Sequence, residues 1–129
     1  MSFPAAQRTF PPEASVLSEV RRFVSTEAER RAFTEFVQDL QLAVTEACSN
    51  AVLHSGTREI RVGVSLIGSC LEITVQDDGI YRPMASASSA SPRVHRGLHL
   101  MAAVVDDFSL SRGRPGRPGT TVRLVKCKT

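Results

Sequence analysis

The stretch from Gln38 to Ser55, QDLQLAVTEACSNAVLHS, constrains this chain more than any other. Val37, Leu40, Val44, Ala47 and Ala51 recur every three or four residues, which gives one apolar stripe about as wide as a core-facing helix needs. Glu46, Asn50 and His54 follow at i, i+4 steps and form a second row, polar, on the same helix. Such a row is ordinarily a solvated face. These residue types also have a chemical use beside a phosphate chain: the Asn50 carbonyl suits Mg²⁺, a hard ion that takes few protein ligands when phosphates supply the rest. Glu46, one turn earlier, can orient or deprotonate a group that attacks a terminal phosphate, and His54 can add a hydrogen bond near it.

A chain of 129 residues is near the modal size of one domain, so a single domain over 1–129 is expected. With 42% hydrophobic and 22% charged residues it has the profile of a folded globular chain, neither disordered nor membrane-embedded. Its apolar runs are short, and Met1 to Pro12 lacks a basic segment followed by an apolar block, so a cytoplasmic protein without spanning helix or secretory signal is expected. Cys48, Cys70 and Cys127 are an odd set without close spacing, which argues against a disulfide framework and a Cys-based zinc site; they read as buried small hydrophobes, with Cys127 toward the surface. His95 and His99 are four apart but lack the HExxH pattern of a zinc helix. The net charge of +3 permits an acidic partner, yet Arg112, Arg114 and Arg117 in one loop supply part of it. One Tyr and no Trp leave no base-stacking pattern, so direct nucleic-acid binding is not expected.

Ala5 to Phe10 reads as a short strand ended by Pro11-Pro12. An amphipathic helix then runs from Glu13 to about Arg31, carried by Val16, Leu17, Val20, Phe23 and Val24. The break before the long helix falls between Thr26 and Thr34, with Ser25 or Thr34 as candidate caps. After Gly56, Ile60 to Leu66 and Leu71 to Val75 alternate around Gly68-Ser69, so Arg58 to Gln76 reads as an antiparallel hairpin. It delivers Asp77-Asp78-Gly79 to its far end, where one carboxylate can accept from the exocyclic amine of a purine; the same residues also make an ordinary turn. Met84 to Pro92 is a Ser/Ala-rich loop of the kind that covers ligands. Arg93 and Arg96 at its end can reach phosphate oxygens, and Gly97 opens a short helix, Leu98 to Val105. Phe108, Leu110 and then Val122, Leu124 and Val125 supply two final strands separated by RGRPGRPG, a basic hairpin connection.

In this order, TEACSNAVLHS, TVQDDG, RGLHLMAAVVDDFSL and GTTVRL resemble the motifs of the bacterial anti-sigma factor serine/threonine kinases, members of the gyrase, histidine kinase and mismatch-repair ATPase superfamily with the Bergerat fold. The resemblance covers most of the chain. It implies an α+β two-layer sandwich, a mixed and mostly antiparallel sheet with helices on one face, and ATP and Mg²⁺ as cofactors. It places the catalytic carboxylate at Glu46, the Mg²⁺ ligand at Asn50 and the motif-closing histidine at His54. The adenine-binding carboxylate falls at Asp77, with Gly79 letting the backbone approach the base. Gly97 falls beside the phosphates, with Arg93 or Arg96 offsetting charge there, and Thr120 or Thr121 supports Asp77.

The implied activity is ATP-dependent phosphorylation of an anti-sigma-factor antagonist of the STAS type, with capture of a sigma factor as the competing interaction and a homodimer as the working form. This chain departs from the family pattern in having Tyr81 and His95 where glycines usually stand, and in its plain lid. Those departures motivate the alternative, a partner-binding module that holds a sigma factor or its antagonist without phosphorylation.

Overall fold

The computed structural model describes residues 4–54, 56–79, 99–114 and 117–128. Strand β1, Ala6–Phe10, stops where Pro11 and Pro12 remove the donors that would extend it. A 3-10 turn at Ala14–Val16 leads into helix α1, Leu17–Arg30. Val16, Val20, Val24 and Ala28 are buried at four-residue steps, so the stripe read from the sequence is the one that packs.

Helix α1 ends where Ala32 takes a left-handed φ of 64° and the Phe33 N–H reaches back to the Ala28 carbonyl at 2.8 Å, a Schellman closure with alanine in the position glycine favours. A second 3-10 turn, Thr34–Phe36, then starts helix α2, Val37–His54. The break lies inside the expected window, but neither proposed cap acts as one. The Ser25 hydroxyl donates to Glu29 within α1 at 3.3 Å, and no side chain caps the 3-10 turn that Thr34 begins.

Strands β2 (Ile60–Ile67) and β3 (Cys70–Asp77) form the expected hairpin, followed after residues 99–104, which are helical, by β4 (Asp107–Arg114) and β5 (Arg117–Cys127). RGRPGRPG is the hairpin connection expected, but with less loop than its composition suggested. Strand structure runs into it from both sides, with a register irregularity between Arg112 and Arg114. Local breakers yield here to the pairing of two long strands.

The sheet order is β1-β2-β3-β5-β4, with every described pairing antiparallel. Ile60, Val62, Val64, Leu71, Ile73, Val75, Val122 and Leu124 form its buried face. Helix α1 covers β2, and α2 covers β3 and β5. The opposite face carries polar side chains, among them Arg123, which pairs with Glu72 and Asp107 across three strands. This is the α+β sandwich with helices on one face that the motif order implied. Among the described residues no helix is long and apolar enough to cross a membrane.

The cysteines correct the reading from sequence. Cys70 and Cys127 stand opposite each other on β3 and β5 and are joined by a disulfide. The Lys128 N–H donates to the Ser69 carbonyl at 3.0 Å just beyond the pair, which marks it as a non-hydrogen-bonded pair, where facing side chains come closest. Cys48 remains a free, buried thiol. Burial pushes its pKa up to about 12, so little thiolate exists at neutral pH and the residue serves as the small hydrophobe expected.

Candidate functional site

Helix α2 buries Leu40, Ala43, Val44, Ala47, Cys48 and Ala51 in the core. Glu46 and Asn50 lie on its flank, half-buried at the boundary between core and solvent. Among the described residues neither side chain is held in a hydrogen bond or ion pair, so the carboxylate and the amide both keep their acceptor oxygens available. His54 is the last residue of α2. Gly56, at φ 63°, then supplies the left-handed backbone that lets the chain leave the helix and turn toward β2.

Asp77 is the last residue of β3, in phase with Ile73 and Val75, so the two-residue period of the strand aims its carboxylate into the helix-facing layer. There it is buried at 7% exposure. Burial pushes its pKa up; the nearby backbone N–H groups of Gly79 and Thr120 pull the other way, and the neighbouring Asp78 charge adds a further upward push. Gly79 donates to Oδ1 at 3.0 Å. Gly79 thus holds the carboxylate in place through its own backbone.

Strand pairing decides between the two threonines. Thr120 stands opposite Asp77, and Thr121 stands opposite Gln76 on the other side of the pleat. The Thr120 hydroxyl is buried and has no hydrogen-bond partner among the described residues. A buried carboxylate and an unengaged hydroxyl on facing residues make a polar pair that a ligand, or water, bearing both a donor and an acceptor would satisfy.

Gly119, which the sequence reading did not single out, packs against the Asp77 backbone. A Cβ at this position would lie 2.5 Å from the Asp77 carbonyl oxygen, and its φ of 138° is one that side chains rarely adopt. Only glycine lets β5 pass this close to the backbone that carries the carboxylate. Gly119→Ala is expected to destabilise the protein by about 2 kcal/mol through strain and overpacking, read as a lower denaturant midpoint; an unchanged midpoint would show that the strand ends separate freely.

The chain connects the two clusters through one hydrogen-bonded junction. Thr57, three residues beyond His54, is hydrogen-bonded to Asp78, which follows Asp77. Helix rise and chain reach together keep the Asn50 backbone within roughly 16 Å of Thr57. Thr57 and Asp78 were also missed as participants; the only sign of them was a second acid in TVQDDG. Arg93, Arg96 and Gly97, with Tyr81, His95 and the Met84 to Pro92 loop, lie outside the described residues. Downstream of them, Lys126 donates to the Val104 carbonyl at 3.0 Å and so closes the helical segment at residues 99–104.

Comparison with known proteins identifies the family of the chain. The family described as Histidine kinase-like ATPase domain matches residues 10–126. Serine-protein kinase RsbW of Bacillus velezensis is 29% identical over 134 residues, spanning 90% of this chain and 81% of that protein. Serine-protein kinase RsbW of Bacillus thuringiensis is 26% identical over 140 residues, spanning 96% and 85%. Among solved structures, the histidine kinase domain of the blue-light activated histidine kinase of Erythrobacter litoralis EL346 superposes with a TM-score of 0.58 at 18% identity, over 92% of this chain and 61% of that one. That last likeness is one of fold.

Proposed function

Because the chain belongs to the histidine kinase-like ATPase domain family, we propose that it binds ATP with Mg²⁺ and phosphorylates a serine or threonine of an anti-sigma-factor antagonist. The observation that supports the nucleotide half is the polar pair of Asp77 and Thr120: a buried carboxylate held by Gly79, and a hydroxyl without a partner among the described residues. An adenine edge presents an amine donor next to a ring-nitrogen acceptor, which complements that pair. The likeness to the RsbW serine-protein kinases supports the protein-kinase half.

In this mechanism Asp77 accepts from the exocyclic amine and so selects adenine, with Thr120 donating beside it. Asn50 offers its carbonyl oxygen to the metal. Glu46, one helical turn away, would hold the acceptor hydroxyl and take its proton onto a carboxylate oxygen while the γ-phosphoryl group passes to the hydroxyl oxygen and ADP leaves. His54 and Gly97 are assigned to the phosphate side by their motif positions, and Arg93 or Arg96 because a guanidinium at the end of the loop can reach phosphate oxygens. When bound, ATP supplies the phosphoryl group and Mg²⁺ offsets phosphate charge. The modified antagonist gains about −1.5 to −2 charge at the contact, which weakens its hold and frees this protein, working as a homodimer, for a sigma factor.

An ATP titration with and without Mg²⁺ tests the reading. The intact protein is expected to bind saturably, and Asn50→Ala to lose about tenfold in affinity with Mg²⁺ present but little without it. Absence of saturable binding by the intact protein would leave only a module that holds its partner without phosphorylation.

A further inference from the structure

Asp78 and Thr57 form a reciprocal clamp between the two halves of the site. The Thr57 hydroxyl and the Arg58 N–H both donate to Asp78 Oδ1, the latter at 2.9 Å, and the Asp78 N–H donates back to Thr57 Oγ1 at 3.0 Å. Thr57 Oγ1 also lies 2.6 Å from the Glu59 carbonyl. A hydroxyl has one proton to give, and the ionised oxygen of Asp78 is the stronger acceptor. These hydrogen bonds, that from Thr57 foremost, hold the Asp78 carboxyl below the usual carboxylate range.

The clamp continues the β2–β3 pairing, which ends at Ile60 opposite Asp77, back to the exit of α2. On one side is the exit of α2, three residues past His54; on the other is the end of β3, immediately after Asp77. Thr57 is buried at 8% exposure, although it sits in a connection between elements. We propose that Thr57 and Asp78 are positioning residues that set the spacing between the Asp77–Thr120 pair and the polar row of α2, so that one extended ligand reaches both. The inference rests on the nucleotide reading above and adds to it a residue pair that touches no ligand.

A spacing role makes a specific claim. Breaking the clamp harms a ligand that spans both ends and spares one that engages only Asp77 and Thr120. In calorimetric titrations of the full chain, Asp78→Ala and Thr57→Val are each expected to weaken ATP·Mg²⁺ about tenfold, with adenosine affinity changed less than about twofold. The double variant should be no worse than either single one, because both remove the same bond. Thr57→Ser and Asp78→Asn keep the hydroxyl and an acceptor oxygen, and should return ATP·Mg²⁺ affinity to within about threefold of the parent. Equal losses for adenosine and ATP·Mg²⁺, or no loss of ATP·Mg²⁺ affinity, would overturn the spacing role while leaving nucleotide binding intact. If the parent chain binds neither ligand, the nucleotide reading itself falls, and this inference with it.

Discussion

Asp77→Asn is expected to cut ATP affinity by about 100-fold or more while making the empty protein more stable at neutral pH. Both effects come from one burial. The Gly79 N–H donates to Oδ1, so an asparagine would keep its carbonyl on that side and turn its NH₂ toward the ligand. Two donors, the asparagine amide and the adenine amine, would then face each other where the carboxylate had offered an acceptor. Without ligand the balance reverses, because a carboxylate buried at 7% exposure is uncomfortable when ionised.

The sign follows from the raised pKa of Asp77, whose main cause is burial. A carboxyl that is harder to ionise folded than unfolded contributes stability that is fully present below its unfolded pKa, about 3.9, and is lost as pH rises through the folded value. The advantage of Asp77→Asn should therefore be largest at pH 7 and fade as both proteins are taken toward pH 3.9. Thermal melts of the two proteins across that range, paired with ATP titrations at pH 7, test both halves. A variant that is less stable at pH 7 would sink the desolvation argument; one that still binds ATP as the parent does would move the adenine site elsewhere. Asp78 behaves oppositely, since its lowered pKa contributes stability above the unfolded value that is lost as pH falls through the folded one. Comparing Asp77→Asn with the parent cancels that contribution.

Reduction of the Cys70–Cys127 bond is expected to lower the unfolding free energy by about 4 kcal/mol, the loop-closure entropy of its 57-residue separation. The partners already face each other across paired strands, so the folded state should change little and the loss should come from a freer unfolded chain. Denaturant curves with and without reductant measure it, and Cys70→Ser should reproduce the reduced curve. Thiol titration in denaturant provides an independent check: one free thiol, Cys48, before reduction and all three afterwards. Three reactive thiols in the unreduced protein would refute the bridge.

Cysteine counting works on spacing, and nothing within either segment refers to a partner 57 residues away. The threonines show the same limit at shorter range. GTTVRL contains both, and the choice of Thr120 over Thr121 depends on the pairing parity between β5 and β3, since a one-residue slip would exchange them. Gly119 resembled an ordinary turn glycine until the Asp77 backbone was found against it. In RGRPGRPG, local composition pointed to a loop where two long strands pair.

What the sequence determined by itself was periodic or local. The four-residue rhythm of α2 separates its core stripe from Glu46 and Asn50, the alternation of β2 and β3 makes the hairpin, and the order of the motifs indicates the fold. These features survive because helix and strand periods are properties of a single segment. Tertiary structure alone decided which threonine faces Asp77, which cysteines meet, and that Thr57 ties the exit of α2 to the end of β3. Each of these is a contact between segments, set by sheet register and by the layer of helices packed on it, and no single segment carries that information.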